Sequence, residues 1–510
     1  MTTPSPSFLA TRRGKLMLAV LCAVAFLDFL DSSIVNVALP TIRHDLHFSI
    51  QNLQWVLSGY LLTYGGFLLL GGRAADLIGR RRILIAGTVV FALASLAGGL
   101  APDAGVLVGA RLAQGLGAAL MTPAALSILT TSFNQGTDRL KAFGAWAGMV
   151  GVASGAGVFL GGLLAGGPGW RWVFFVNLPV CVLVVAGAFW LISGDRPPKA
   201  AASFDFLGAI LGTGSVLLLV YSLVQAPVVG WGTTRTIAGL AGAFALLAAF
   251  IFNEQRHRNP LLVLSIFRIK GLAAADATQM IAVAGFYSMF FFITLYMQEV
   301  LHYSPIRIGL LYLPNAAAMA ISANVCSRLF VRIGTRPLIV AGALVSAGAI
   351  YWLSRIPVHG SYVTDLMPGM VILSFGLGGV FVGVQTAANA GVPPQKAGLA
   401  AALINASFQV GAALGLAIFS AIATSHTQQL LADHVARAAA LTSGFQRALL
   451  AASIFLLVAA LIGLRATNTR GEPVAGTPAE DDGDGVTASP EPLLVPGQDT
   501  GSADARPVKL

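Results

Sequence analysis

The chain has 510 residues, 56% of them hydrophobic and only 10% charged, whereas a soluble domain carries about 25% charged residues. That balance excludes a soluble enzyme or soluble binding domain and predicts an all-α polytopic membrane protein. The net charge of +10 does not argue for nucleic acid, because the cytoplasmic loops of membrane proteins are rich in Lys and Arg.

The first 15 residues, MTTPSPSFLATRRGK, are short and basic, like the start of a signal peptide. The apolar run from Leu16 to Leu39 is longer than a signal core and lacks a small-residue cleavage site before its polar end. It reads as a membrane helix that is retained. Asp28 and Asp31 lie inside it. A carboxylate at membrane depth costs about 2.5–3.5 kcal/mol on insertion scales, so such residues are usually kept for a use.

A membrane helix takes about 20 mostly apolar residues. Fourteen segments qualify: 16–39, 51–71, 83–101, 105–130, 140–165, 171–192, 206–225, 236–253, 272–298, 305–327, 337–355, 365–391, 398–424 and 448–465. An even number puts both termini on one side. Of the 31 Lys and Arg residues, 23 fall on that side, 7 fall on the other, and Arg111 alone is embedded. The positive-inside rule then predicts cytoplasmic termini and a place in the cytoplasmic membrane. Ser425–Arg447 reads as the longest outer loop, with room for a short surface helix. The tail 466–510 is rich in Pro, Gly, Asp and Glu without an apolar period, and it reads as disordered.

Cys22, Cys181 and Cys326 lie singly in apolar helices, with no spacing that suggests a metal site or a disulfide framework. The sequence holds no GxxxxGK[ST] loop for an ATP-driven motor, and neither GxSxG nor HExxH. All seven histidines are predicted in loops. No enzyme activity, metal or cofactor is expected.

An internal repeat organises the chain. After the second helix, residues 72–82 read GRAADLIGRRR; after the tenth, residues 327–336 read SRLFVRIGTR. Arg73 aligns with Arg328, Gly79 with Gly334 and Arg81 with Arg336, while Val331 stands where Asp76 does. Both stretches follow the second helix of a six-helix block once helices 7 and 8 are set aside. The expected plan is a cytoplasmic N-terminus (1–15), a six-helix bundle (16–192), two inserted helices (206–253), a second six-helix bundle (272–465) and the tail (466–510). Such a 6 + 2 + 6 arrangement of related halves around a central pathway is how many transporters are built.

Four stretches, in order along the chain, resemble one known family. Residues 30–40, LDSSIVNVALP, end the first helix; 72–82 form the loop just quoted; RLAQGLG at 111–117 lies in the fourth helix; WRWVFFVNLP at 170–179 leads into the sixth. Together they resemble the major facilitator superfamily, specifically its fourteen-helix drug:proton antiporter branch, over about 16–465. The fifth helix departs from that branch's pattern. Gly157, Gly161 and Gly162 are present, but Val158 replaces a proline and Ala153 an earlier glycine, so the helix is expected to be straighter or differently kinked.

The resemblance implies a secondary active exporter of amphipathic drug-like compounds, driven by proton antiport (multidrug efflux). The proton is the coupling ion, and the partners are a small-molecule substrate, protons and the bilayer, with the protein acting as a monomer. The alternatives are a dedicated exporter of one metabolite, antibiotic or lipid, and a non-transporting membrane sensor or scaffold.

Asp31 is the first choice for proton coupling. Asp28 lies one turn away on nearly the same face, and two neighbouring carboxylates resist double ionisation. The pair could instead only hydrogen-bond Ser32, Asn36 or a neighbouring helix, and Asp28 could attract a cationic substrate. Arg111 resembles the family's fourth-helix arginine, a cation whose approach or withdrawal would tune the acid's protonation; Gln114 lies a turn on. A purely structural ion pair is the alternative. Asp76 looks like the acid of the loop motif. With Gly72, Arg73, Gly79 and Arg80 it is expected to form a cytoplasmic gate, meeting the positive end of a helix, with Gly72 and Gly79 allowing tight turns. Asp276, Trp55, Tyr60, Tyr64, Tyr287, Asn315, Gln385, Asn389 and Asn405 are candidates to line the cavity. Glu299, at the outer end, is expected to be solvated.

Overall fold

The computed structural model describes residues 9, 11–133, 137–193, 205–257, 260–390, 392 and 397–470. The predicted tail beyond residue 470 lies outside them, as do the side chains of Arg139 and Asn389. Among the described residues there is no strand.

Fourteen helical spans follow one another: α1 (Arg12–Asp45), α2 (Ile50–Ile78), α3 (Arg80–Gly99), α4 (Ala104–Ser132), α5 (Thr137–Gly166), α6 (Trp172–Leu191), α7 (Phe206–Val229), α8 (Thr234–Arg256), α9 (Leu272–Val300), α10 (Pro305–Ile333), α11 (Thr335–Leu353), α12 (Tyr362–Ala388), α13 (Ala397–Ala432) and α14 (Arg437–Gly463). Thirteen are long and apolar enough to cross a membrane; in α5, Gly155–Gly166 forms a shorter apolar stretch. Helices α1–α6 pack among themselves, as do α9–α14. The α7–α8 hairpin rests on both groups, with α7 against α2 and α13. The halves meet mainly where α2 packs on α13 and α5 on α10. The arrangement is the expected 6 + 2 + 6.

The helix ends follow from local chemistry. Thr11 caps α1 by accepting the Gly14 N–H at 3.0 Å, and Asp103 caps α4 by accepting the Val106 N–H at 3.0 Å. The repeat is visible in the backbone. Gly79 and Gly334 separate α2 from α3 and α10 from α11 at φ of +112° and +90°, a region that favours glycine.

Three expectations are corrected. The segment Ser425–Arg447 is not a long loop: α13 runs on to Ala432 and α14 begins at Arg437. Apolar length measures only the part of a helix immersed in lipid, and the polar turns beyond it stay helical in water. For the same reason His44 and His426 lie on helices rather than in loops. Gly72 forms no turn, because it lies inside α2.

The close-packing glycine is its neighbour, Gly71. Pro123, inside α4, has no N–H to offer the carbonyl of Ala119 one turn back. That freed carbonyl lies where a Gly71 side chain would be. Gly115 likewise leaves room for Thr63 and the Tyr60 carbonyl. Together they bring α2 and α4 close enough to build the site between them.

Candidate functional site

Asp31, Arg111 and Gln114 meet as the sequence suggested, and the structure adds partners that were not foreseen. Arg111 Nη1 donates to Asp31 Oδ2 at 2.5 Å and to Gln114 Oε1 at 2.8 Å, while its Nε donates to the Val56 carbonyl at 2.6 Å. The other Asp31 oxygen accepts from Asn177 Nδ2 at 2.9 Å and from Gln114 Nε2 at 3.2 Å. Ser95 Oγ accepts from both amides, at 3.1 and 3.2 Å, and donates to the Phe174 carbonyl. Asp31, Arg111, Gln114, Ser95 and Asn177 are all fully buried. The network ties α1, α2, α3, α4 and α6 inside one half. Each buried ion costs several kcal/mol of lost hydration, which this geometry offsets by satisfying the carboxylate from several sides.

Asp28 is in a different setting from Asp31, although the two are only three positions apart. Its two oxygens accept from the hydroxyls of Tyr60 at 2.5 Å and Tyr64 at 2.7 Å. The Tyr60 ring lies under the Arg111 guanidinium, 4.5 Å from centroid to Cζ, a cation–π contact. Tyr60 therefore touches Asp28 with its hydroxyl and the Asp31 network with its ring. The sequence singled out Tyr60 and Tyr64 only as cavity residues.

Across the seam, Tyr287 of α9 lies within electrostatic reach of Asp28 and Arg111. It packs edge-on against Phe408 of α13 at 5.9 Å; Phe408 contacts Phe381 of α12 at 6.0 Å, which contacts Phe286 of α9 at 6.4 Å. All four rings are only partly buried. They form an apolar wall opposite a carboxyl dressed in phenol hydroxyls, a pairing suited to amphipathic molecules.

The side away from the chain termini is held shut. Glu299, on a π-helical turn at Tyr296–Val300, pairs with Arg43 of α1 in the other half, and also with Arg437 of α14 at 3.8 Å. Gln298 Nε2 donates to the Val37 carbonyl at 3.4 Å. Glu299 is thus partly buried and paired, not solvated as expected. Of the fifth-helix glycines, Gly162 marks the same closure, while Gly157 and Gly161 pack α5 on α1 within one half. Gly157 and Gly161 press on Leu30–Val37 of α1, and a Cβ on Gly162 would lie 2.6 Å from the Pro305 carbonyl of α10. Val158, in the proline's place, puts its carbonyl against Gly309. On the terminal side, Asp76, Gln385 and Asn405 are exposed.

Of the predicted gate residues, Asp76 meets Arg80 at 3.7 Å across the turn between α2 and α3. Arg80 also donates to Thr131 at 3.0 Å. Arg73 lies partly exposed on α2. Two cavity candidates are elsewhere. Trp55 packs toward Tyr221 of α7 at 6.5 Å, because the inserted hairpin covers that face of α2. Asn315 accepts from Ser374 at 2.5 Å and joins α10 to α12. Asp276 is buried in α9 near its terminal-side end.

Comparison with known proteins agrees with this architecture. The family model of the Major Facilitator Superfamily matches residues 21–416 and 278–495. The puromycin resistance protein of Streptomyces alboniger is 37% identical over 430 residues, covering 84% of this chain and 85% of its own. The tetracenomycin C resistance and export protein of Streptomyces glaucescens is 34% identical over 436 residues, covering 85% and 79%. In fold, the chain is similar to a bacterial homolog of the human lysosomal transporter Spinster in an inward-facing, unoccupied conformation. The TM-score is 0.65 at 18% identity, covering 89% of this chain and 97% of that one. The chain is a multi-pass membrane protein that belongs to the major facilitator superfamily.

Proposed function

We propose that this protein is a secondary active exporter that moves amphipathic small molecules out of the cytoplasm in exchange for protons. It is not an enzyme, and it works as a monomer with the proton as coupling ion. In this reading the terminal side is cytoplasmic, as the Lys and Arg asymmetry favours. The side held shut by Glu299 and Arg43 is then the outer one.

One observation carries the reading: two buried acids in unlike settings joined by Tyr60. Asp28 lies at the seam, within reach of cargo and of water when either side opens. Asp31 is sealed beside Arg111. A proton arriving on Asp31 removes its attraction for the guanidinium and frees Arg111 to lean toward Tyr60 and Asp28. Cargo at the seam and proton in the network then compete through one phenol. Each charge crossing is worth about 2.3 kcal/mol per 100 mV, enough to drive such an exchange.

A second reading, a dedicated exporter of one antibiotic, is favoured by relatives named for single compounds. Purified protein in vesicles with an imposed pH gradient separates the two. The expected result is gradient-dependent flux of several unrelated amphipathic dyes. Flux of a single compound class supports the dedicated exporter, and no coupled flux by folded protein supports a sensor or scaffold.

A further inference from the structure

Asp276 is 5% exposed and Gln279, one turn further along α9, is 6% exposed. Neither Asp276 oxygen nor Gln279 Oε1 has a hydrogen-bond partner among the described residues. Arg268 and Lys270, the cations just before α9, form no ion pair with Asp276 there. Positions i and i+3 share a helix face, so the pair presents acceptors on one side of α9 with no donor supplied to them.

The position gives those acceptors a use. Beside Asp276 runs a partly exposed stripe, Ala273, Ala277 and Met280. Tyr287, eleven residues from Asp276, falls on nearly the same helix face about 16 Å further along α9. Tyr287 is an α9 residue within electrostatic reach of Asp28. Asp276 is thus the acid of this helix face nearer the terminal side, with the buried Val283 and Ala284 between it and Tyr287.

We propose that Asp276 and Gln279 form an intake site for a protonated amine. This rests on the exporter reading. A buried carboxylate needs countercharge and donors, and an ammonium group brings both: its N–H bonds point at Asp276 and Gln279 while its apolar body lies on the α9 stripe. A neutral amide lacks the charge, and a phosphonium lacks the N–H. Charge-assisted hydrogen bonds of this kind are worth enough to shift affinity about tenfold or more.

The test is equilibrium binding to the full chain in lipid nanodiscs without any gradient. The probes are the fluorescent ammonium dansylcadaverine and its neutral N-acetyl derivative. The expected result is at least tenfold preference for the ammonium form. Asp276→Asn should abolish the preference without changing affinity for the acetylated probe, Asp276→Glu should keep it, and Gln279→Leu should cut it several-fold. Preference that survives Asp276→Asn, or equal weakening of both probes, overturns the proposal. If Asp276→Asn does not fold, Gln279→Leu decides, and an unchanged preference there overturns it. A protein that binds with this preference but shows no proton-coupled flux would refute the exporter reading and leave only an amine-binding site at Asp276.

Discussion

Asp31→Asn should abolish proton-driven efflux and also lower the melting temperature of the purified protein. An arginine side chain carries a fixed positive charge in proteins. With Asn at position 31, Arg111 loses its countercharge. The new amide has one acceptor oxygen where the carboxylate had two. Turned to the guanidinium, it points its N–H groups at Asn177 and Gln114, which already donate to this position, and turned to those amides it points them at Arg111. Stranding one partner of a buried ion pair costs about 3–5 kcal/mol. The double change Asp31→Asn with Arg111→Gln removes the stranded charge, so it should regain most of the melting temperature and none of the transport. Thermal unfolding and vesicle flux, measured together, separate the two effects. Normal efflux by folded Asp31→Asn protein would refute the coupling role of Asp31.

Gly162→Val should cut transport at least tenfold by a different route. The atoms that a Cβ would meet are backbone, the Pro305 carbonyl at 2.6 Å and the Ile306 Cα at 3.1 Å, so neither can rotate aside. Overpacking of this kind costs about 1–3 kcal/mol where it occurs, and here it occurs only while α5 and α10 are closed on the far side. The variant should therefore favour a molecule open on that side. Gln298→Cys gives a reporter at the closure, read by a membrane-impermeant maleimide. The native cysteines, Cys22, Cys181 and Cys326, are all buried, so background labelling should be low. Faster labelling in the Gly162→Val background is expected; unchanged labelling with intact transport would show that α5 and α10 do not form the far-side contact in the membrane.

The fold was legible because lipid imposes its own arithmetic. Fourteen apolar stretches, and the alignment of Gly79 with Gly334, were enough for the architecture. The acids and Arg111 were legible because ionisable residues in greasy helices are rare. What surrounds them was not. Ser95 is a small hydroxyl in an apolar helix and looks like filler, and the Val56 carbonyl has no sequence signature. Phe286, Phe381 and Phe408 cannot be told from lipid-facing phenylalanines by pattern. Asn177 is legible, since it is the one amide in the WRWVFFVNLP stretch at 170–179. The pairing of Glu299 is not legible because an acid at a helix end is usually solvated, and its partners Arg43 and Arg437 come from distant helices. Gly71 is not legible in the sequence because its value depends on a carbonyl that Pro123 frees on another helix.

The central claim is that cargo and proton compete through Asp28, Tyr60 and the Asp31–Arg111 pair. Proton release on cargo binding tests it directly, using purified protein in weakly buffered solution with a pH-sensitive dye. A transported compound should expel protons in proportion to its binding, and Asp28→Asn should abolish the release. Saturable binding of that compound to the unaltered protein without proton release would contradict the account.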